Sequence, residues 1–131
     1  MHDQSLTPDR SWNFPILLAV FKIAPALMAG NPIIIKPSPF TPLCNIKMVE
    51  LFQEALKDHP GVLQVISGDD KMGPWITSHP DIAKIAFTGS TATGRLVMRS
   101  AAPTLKRLTL ELGGNDPAIV LSDADPTKVA K

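Results

Sequence analysis

The chain has 131 residues, 44% of them hydrophobic, and its 13 basic and 12 acidic side chains leave a formal net charge of +1. That length suits one domain or part of a larger one, and the even charge balance excludes the basic field that nucleic-acid binding needs. The lone cysteine, Cys44, excludes an intrachain disulfide and a multi-cysteine metal site.

In chain order, Met1–Arg10 is polar. It has neither the apolar core and cleavage site of a secretory signal nor an apolar run that reads as a strand. The longest apolar stretch, Ile16–Ala29, is 14 residues long and is interrupted by Lys22 and Pro25. A bilayer span needs roughly 20, so the sequence reads as that of a cytoplasmic protein with no membrane partner. Pro15–Ala29 reads as a helix that Pro25 kinks or ends, with Gly30 in the turn after it. It is apolar on nearly every side, and such a helix must be buried by protein on several sides.

Ile33-Ile34-Ile35 reads as a short buried strand between Gly30-Asn31-Pro32 and Lys36-Pro37. Thr41 can cap the next helix, with Pro42 in its first turn, where a missing N–H costs nothing. Leu43, Ile46, Val49, Phe52 and Leu56 then recur at helical spacing between Lys47, Glu50 and Glu54, the pattern of an amphipathic helix. Cys44, near its start, reads as a packed thiol rather than a nucleophile. Beyond it, Val62–Ile66, Lys84–Phe87, Leu108–Glu111 and Ala118–Leu121 read as strands. Gly73–Ser78, Thr91–Ala102 and Pro126–Lys131 read as helices. Short continuous apolar strands alternating with helices predict an α/β fold with a mainly parallel sheet covered on both faces.

In such sheets ligands gather at the carboxyl ends of the strands. Those ends carry Lys36-Pro37-Ser38, Ser67-Gly68, Thr88-Gly89-Ser90 and Glu111-Leu112-Gly113-Gly114. The segment Ile85–Gly94 is strand, glycine-containing turn and helix start, where free N–H groups favour a phosphate. It is not a Walker loop, because Arg95-Leu96 follow where Lys and Ser or Thr are required. Read alone, it leaves phosphate binding and a plain strand–helix turn both open. Glu111 is open between a general base of raised pKa and a rim glutamate paired with Lys106 or Arg107. Asn13, within Trp12-Asn13-Phe14-Pro15, is open between an oxyanion donor and a helix cap. His2, His59 and His79 show no metal-ligand spacing.

Taken together, Trp12-Asn13-Phe14-Pro15, Lys36-Pro37-Ser38, Phe87-Thr88-Gly89-Ser90-Thr91 and Leu110-Glu111-Leu112-Gly113-Gly114 resemble the aldehyde dehydrogenase superfamily in order and approximate spacing. The resemblance covers nearly all of Ser11–Lys131. It implies residues 11–131 as part of a Rossmann-like NAD(P)-binding domain, preceded by an atypical polar segment over residues 1–10. It also implies oxidation of a small-molecule aldehyde to a carboxylic acid through a cysteine thioester, with NAD or NADP as cofactor.

By position, the resemblance implies that Lys36 hydrogen-bonds the adenosine ribose, in the Lys36-Pro37-Ser38-Pro39 segment that lies against it. Gly89 and Ser90 would meet the pyrophosphate, and Gly73 would border the same groove. Trp12 and Leu112 would lend backbone contacts near the nicotinamide. Asn13 would donate to the oxyanion, and Glu111 would deprotonate the hydrolytic water.

Three departures accompany the resemblance. The family's nucleophilic cysteine lies further along the chain than Lys131, and Cys44 does not occupy its place, so this chain is expected to be inactive alone. The apolar strand that usually precedes Ser11 is missing from Met1–Arg10, so the sheet is expected to lack its first strand. Where many NAD-preferring relatives carry Glu after Lys-Pro-Ser, Pro39 stands here, which predicts tolerance of NADP. A non-catalytic nucleotide-binding module and a subunit-interaction module remain alternatives. Homo-oligomerisation of an intact member stays open, because the family's assembly elements lie outside these residues.

Overall fold

The short apolar runs of the sequence become strands of one parallel sheet. The structure, a computed structural model, describes the backbone of residues 4–8 and the full residues 13–115 and 117–130. In chain order the elements are β1 (Gln4–Pro8), α1 (Pro15–Met28), β2 (Ile33–Lys36), α2 (Pro42–Ala55), β3 (Leu63–Val65) and α3 (Met72–Ser78). Next come β4 (Ile82–Gly89), α4 (Thr91–Ala101), a 3-10 turn (Ala102–Thr104), β5 (Arg107–Leu112) and α5 (Pro126–Val129). The sheet order is β3-β2-β1-β4-β5, and every pairing is parallel.

Strand alternation distributes the core over both faces. Ile33 and Ile35 of β2 pack with Ala19 and Ile23 of α1, Val49 of α2 and Leu63 of β3. Ile34, between them, packs against the other cluster, in which Ile82, Ile85 and Phe87 of β4 meet Ile76 of α3 and Val97 and Ala101 of α4. Thus α1 and α2 cover one face, and α3 and α4 the other. Ile35 and Ile85 are 0% exposed and Phe87 is 2% exposed; each such side chain contributes roughly 1.5–3 kcal/mol.

Burial on the second face also takes in a cation. Lys106 Nζ donates to the carbonyls of His79 at 2.5 Å and Ile82 at 2.6 Å, holding the α3–β4 connection against β5. Burial lowers its pKa below the ordinary 10.5, and the nearby Asp81 charge partly offsets that shift.

Several expectations from sequence need correction. The first strand is not missing: Gln4–Pro8 is β1, hydrogen-bonded to both β2 and β4 in the middle of the sheet. A strand between two neighbours is held by its backbone N–H and C=O groups, and a polar sequence can supply those as well as an apolar one. Conversely, Ala118–Leu121 forms no strand, and Ile119 is 86% exposed. Hydrophobic residues alone do not make a strand where no neighbouring strand receives the ladder.

On α2 the buried line runs through Asn45 and Val49, while Leu43 and Cys44 face solvent, so Cys44 is not the packed thiol its position suggested. Thr41 occupies the N-cap position, but its side chain makes no capping bond. Pro25 does not end α1, which runs unbroken to Met28. The helix closes as a Schellman motif, with Asn31 N donating to Ala26 O, Gly30 N donating to Leu27 O, and Gly30 at φ +72°. Only Ala19 and Ile23 of α1 are buried, and Phe21 and Met28 are exposed. Among the described residues no helix is long and apolar enough to cross a membrane.

Candidate functional site

Because all five strands are parallel, their carboxyl ends form one edge. The chain steps from β1 outward to β2 and β3, then returns to place β4 on the other side of β1. The β1/β4 boundary is therefore a topological switch point, where diverging connections leave a crevice outside the carboxyl ends.

On the α3/α4 face, close to this edge, lies a cleft of about 580 Å³ lined by Lys36, Gly73, Thr77, Phe87, Thr93 and Leu96, with Asp70 and Arg99 among its charged residues. This volume falls within the usual range for a small-molecule site. Lys36 is 4% exposed, and its ammonium reaches Pro37 O at 3.3 Å. It leaves the end of β2, where a buried strand delivers it to the edge. A side chain built at Gly73 would meet nothing within 4 Å, so this glycine leaves room beside the cleft. An apolar wall, a buried lysine and a bare glycine fit an adenosine group.

The next two residues of the lysine motif take other places. Ser38 is buried, and its hydroxyl accepts from Phe40 N at 3.3 Å, closing the turn into α2. Pro39 is exposed and is not part of the cleft wall.

The turn from β4 into α4 stands beside the cleft. Ser90 is the N-cap of α4, its Oγ accepting from Thr93 N at 3.2 Å. Gly89 is required by space: a Cβ there would stand 2.6 Å from Cζ of Phe87. Thr91 Oγ1 donates to Gly113 O at 3.4 Å, tying the helix start to the loop after β5. Leu112 lies over Gly94, where a Cβ would come within 2.6 Å of its Cδ2.

Glu111 is on the opposite face of the sheet. Leu108 and Leu110 pack into the α3/α4 cluster, so the alternation of β5 directs Glu111 toward the α1 face. Its carboxylate is exposed and makes no ion pair among the described residues; Lys106, one partner the sequence suggested, is committed to His79 and Ile82. Directly across the ladder from Glu111 is Thr88, whose Oγ1 accepts from Lys22 Nζ at 3.0 Å. Asn13 is exposed in the β1–α1 connection, also at the carboxyl edge, and the N-cap of α1 is Phe14 rather than Asn13. Trp12 lies outside the described residues.

The edge therefore gathers Asn13, Lys36, Gly89, Ser90, Glu111 and Leu112, with the cleft on one face and the glutamate on the other. Sequence reasoning missed Lys22, Asp70, Thr93 and Arg99. Lys22 had a signal, as the one cation inside an apolar helix, and Thr93 had a weaker one, three residues after the cap. Asp70 and Arg99 had none, because their place depends on how α3 and α4 pack.

The sequence profile of the aldehyde dehydrogenase family matches residues 10–131. The aldehyde dehydrogenase LUC3 of a Fusarium species is 53% identical over 116 residues, which are 88% of this chain and 24% of that protein. Among solved structures, succinate-semialdehyde dehydrogenase from Burkholderia pseudomallei is similar with a TM-score of 0.81 at 50% identity, over 94% of this chain and 25% of that one. An aldehyde dehydrogenase of Mycobacterium tuberculosis complexed with NAD+ is similar with a TM-score of 0.83 at 47% identity, over 95% of this chain and 26% of that one. The chain thus spans about a quarter of the length of these relatives.

Proposed function

Because the chain belongs to the aldehyde dehydrogenase family, we propose that it forms the nucleotide-binding part of an enzyme that oxidises aldehydes to carboxylic acids with NAD+ or NADP+. The observation that carries this reading is the alignment of Lys36, Gly89–Ser90 and Glu111 along one carboxyl edge, with an adenosine-sized cleft beside the first of them. The NAD+ complex of the Mycobacterium tuberculosis relative supports the choice of cofactor.

In this reading Lys36 donates to the adenosine ribose and Gly73 leaves room for the adenosine. Gly89 and Ser90 meet the diphosphate at the start of α4, where unpaired N–H groups and the helix dipole favour negative charge. The backbone of Leu112, together with that of Trp12, meets the nicotinamide end. Bound NAD(P)+ supplies the hydride acceptor. Asn13 donates its amide N–H to the oxygen that gains charge when a thiolate attacks the aldehyde carbonyl. Glu111 takes a proton from the water that hydrolyses the resulting thioester. Exposure of its carboxylate keeps it within reach of that water. Pro39 places no carboxylate beside the ribose, so NADP+ is accepted alongside NAD+.

The thiolate belongs to a segment outside these 131 residues, since exposed Cys44 sits on α2 and not at the carboxyl edge. Two measurements on the 131-residue chain test the reading. Titration with NAD+ is expected to give saturable binding, and absence of binding would refute the cofactor assignment. Aldehyde-dependent NAD(P)H formation is expected to stay at background, and turnover above it would refute the placement of the nucleophile.

A further inference from the structure

The charged residues around the cleft extend this reading to the choice between the two dinucleotides. Three charged residues line it: Lys36 from the end of β2, Asp70 just before α3, and Arg99 in the last turn of α4. Two cations against one carboxylate leave an excess of one positive charge. An unphosphorylated adenosine ribose has no charge to meet that excess, whereas a 2′-phosphate does. Arg99 has a further property: among the described residues no side chain or carbonyl accepts a hydrogen bond from its guanidinium. Its position at the carboxyl end of α4 suits the helix dipole, but that would be satisfied equally by a side chain turned to solvent, and this one contributes to the wall of the cleft.

We propose that Arg99 is a specificity-determining residue that binds the 2′-phosphate of NADP+, with Lys36 as its companion and Asp70 as the opposing charge. The inference rests on the cofactor reading above and adds to it a residue on α4. A planar guanidinium offers two parallel N–H donors to phosphate oxygens, which a single ammonium cannot do. The selectivity comes from the group each ligand brings: NAD+ has only a hydroxyl at that carbon, and so gains little from Arg99.

The test is titration of the 131-residue chain with NAD+ and with NADP+, before and after Arg99→Ala, with circular dichroism melting to show that the variant folds. Loss of one charge-assisted interaction is expected to weaken NADP+ about tenfold or more and to leave NAD+ within about twofold. Arg99→Lys, which keeps the charge but not the fork, is expected to fall between. If NAD+ binds and the ratio of the two affinities is unchanged in Arg99→Ala, the inference is overturned while the cofactor reading stands. An equal loss of both ligands overturns it too, because that pattern assigns Arg99 to the adenine or to the shape of the cleft. If the unmutated chain binds neither dinucleotide, both readings fall.

Discussion

Two glycines beside the cleft respond to the same substitution in opposite ways. At Gly89 an added Cβ would stand 2.6, 3.2 and 3.3 Å from three atoms of the Phe87 ring, and that ring is 2% exposed within the α3/α4 cluster. The ring has no solvent to swing into, so Gly89→Ala forces either Phe87 or the β4–α4 turn to move. Overpacking of this kind costs roughly 1–3 kcal/mol, which lowers the melting temperature of a chain this size by roughly 3–12 °C. At Gly73, inside α3, a Cβ would meet nothing within 4 Å, and Ala is favoured over Gly in a helix by up to about 1 kcal/mol. Gly73→Ala should therefore melt at the same temperature or a few degrees higher.

The binding assay then separates stability from function. The Gly73 methyl enters the cleft wall, so Gly73→Ala should weaken NAD+ binding although the fold is no less stable. Melting by circular dichroism and titration of NAD+ on both variants check this. A Gly89→Ala chain as stable as the parent would refute the packing argument. A Gly73→Ala chain that binds NAD+ as the parent does would refute the assignment of the cleft.

Lys106→Met should remove the donor from the carbonyls of His79 and Ile82, at about 1–3 kcal/mol for each group left unsatisfied, measured by urea denaturation at neutral pH. Burial lowers the pKa of folded Lys106 below 10.5, so between the two values the unfolded chain binds more protons. The Lys106 contribution to stability therefore rises with pH across that interval, and the Met variant should lose this rise; an unchanged slope would contradict it. Leu105 holds φ 49° in the left-handed region and is 89% exposed. Leu105→Asn should relieve part of the left-handed cost and raise stability by roughly 0.5–1 kcal/mol, and a lower melting temperature would count against that account.

What could be read in the sequence was set by which forces leave a trace in residue order. The three isoleucines of β2, the Gly30 turn and the Ser90 start of α4 follow from hydrophobic burial and local turn chemistry, both of which act over a few residues. Strand β1 was not legible, because Gln4–Pro8 holds the centre of the sheet through backbone pairing with β2 and β4, and backbone groups are common to every sequence. The same reasoning explains the opposite error at Ala118–Leu121, apolar enough for a strand but with no ladder partner among the described residues. At the site, Lys36, Ser90 and Glu111 announced themselves as polar groups at strand ends. Their division between two faces of the sheet did not, since it depends on the alternation of β5 against the helices that cover it. The roles of Lys22 and Arg99 required α1 and α4 to be docked before either could be seen.

The central claim is that a dinucleotide crosses the carboxyl edge from the α3/α4 cleft to the α1 face. A crystal structure of this chain with NAD+ measures that directly. The account predicts the adenosine against Lys36 and Gly73, the diphosphate at Gly89–Ser90, and the nicotinamide beside Glu111. An adenosine seated elsewhere, or a nicotinamide that stays on the cleft side of the sheet away from Glu111, would contradict it.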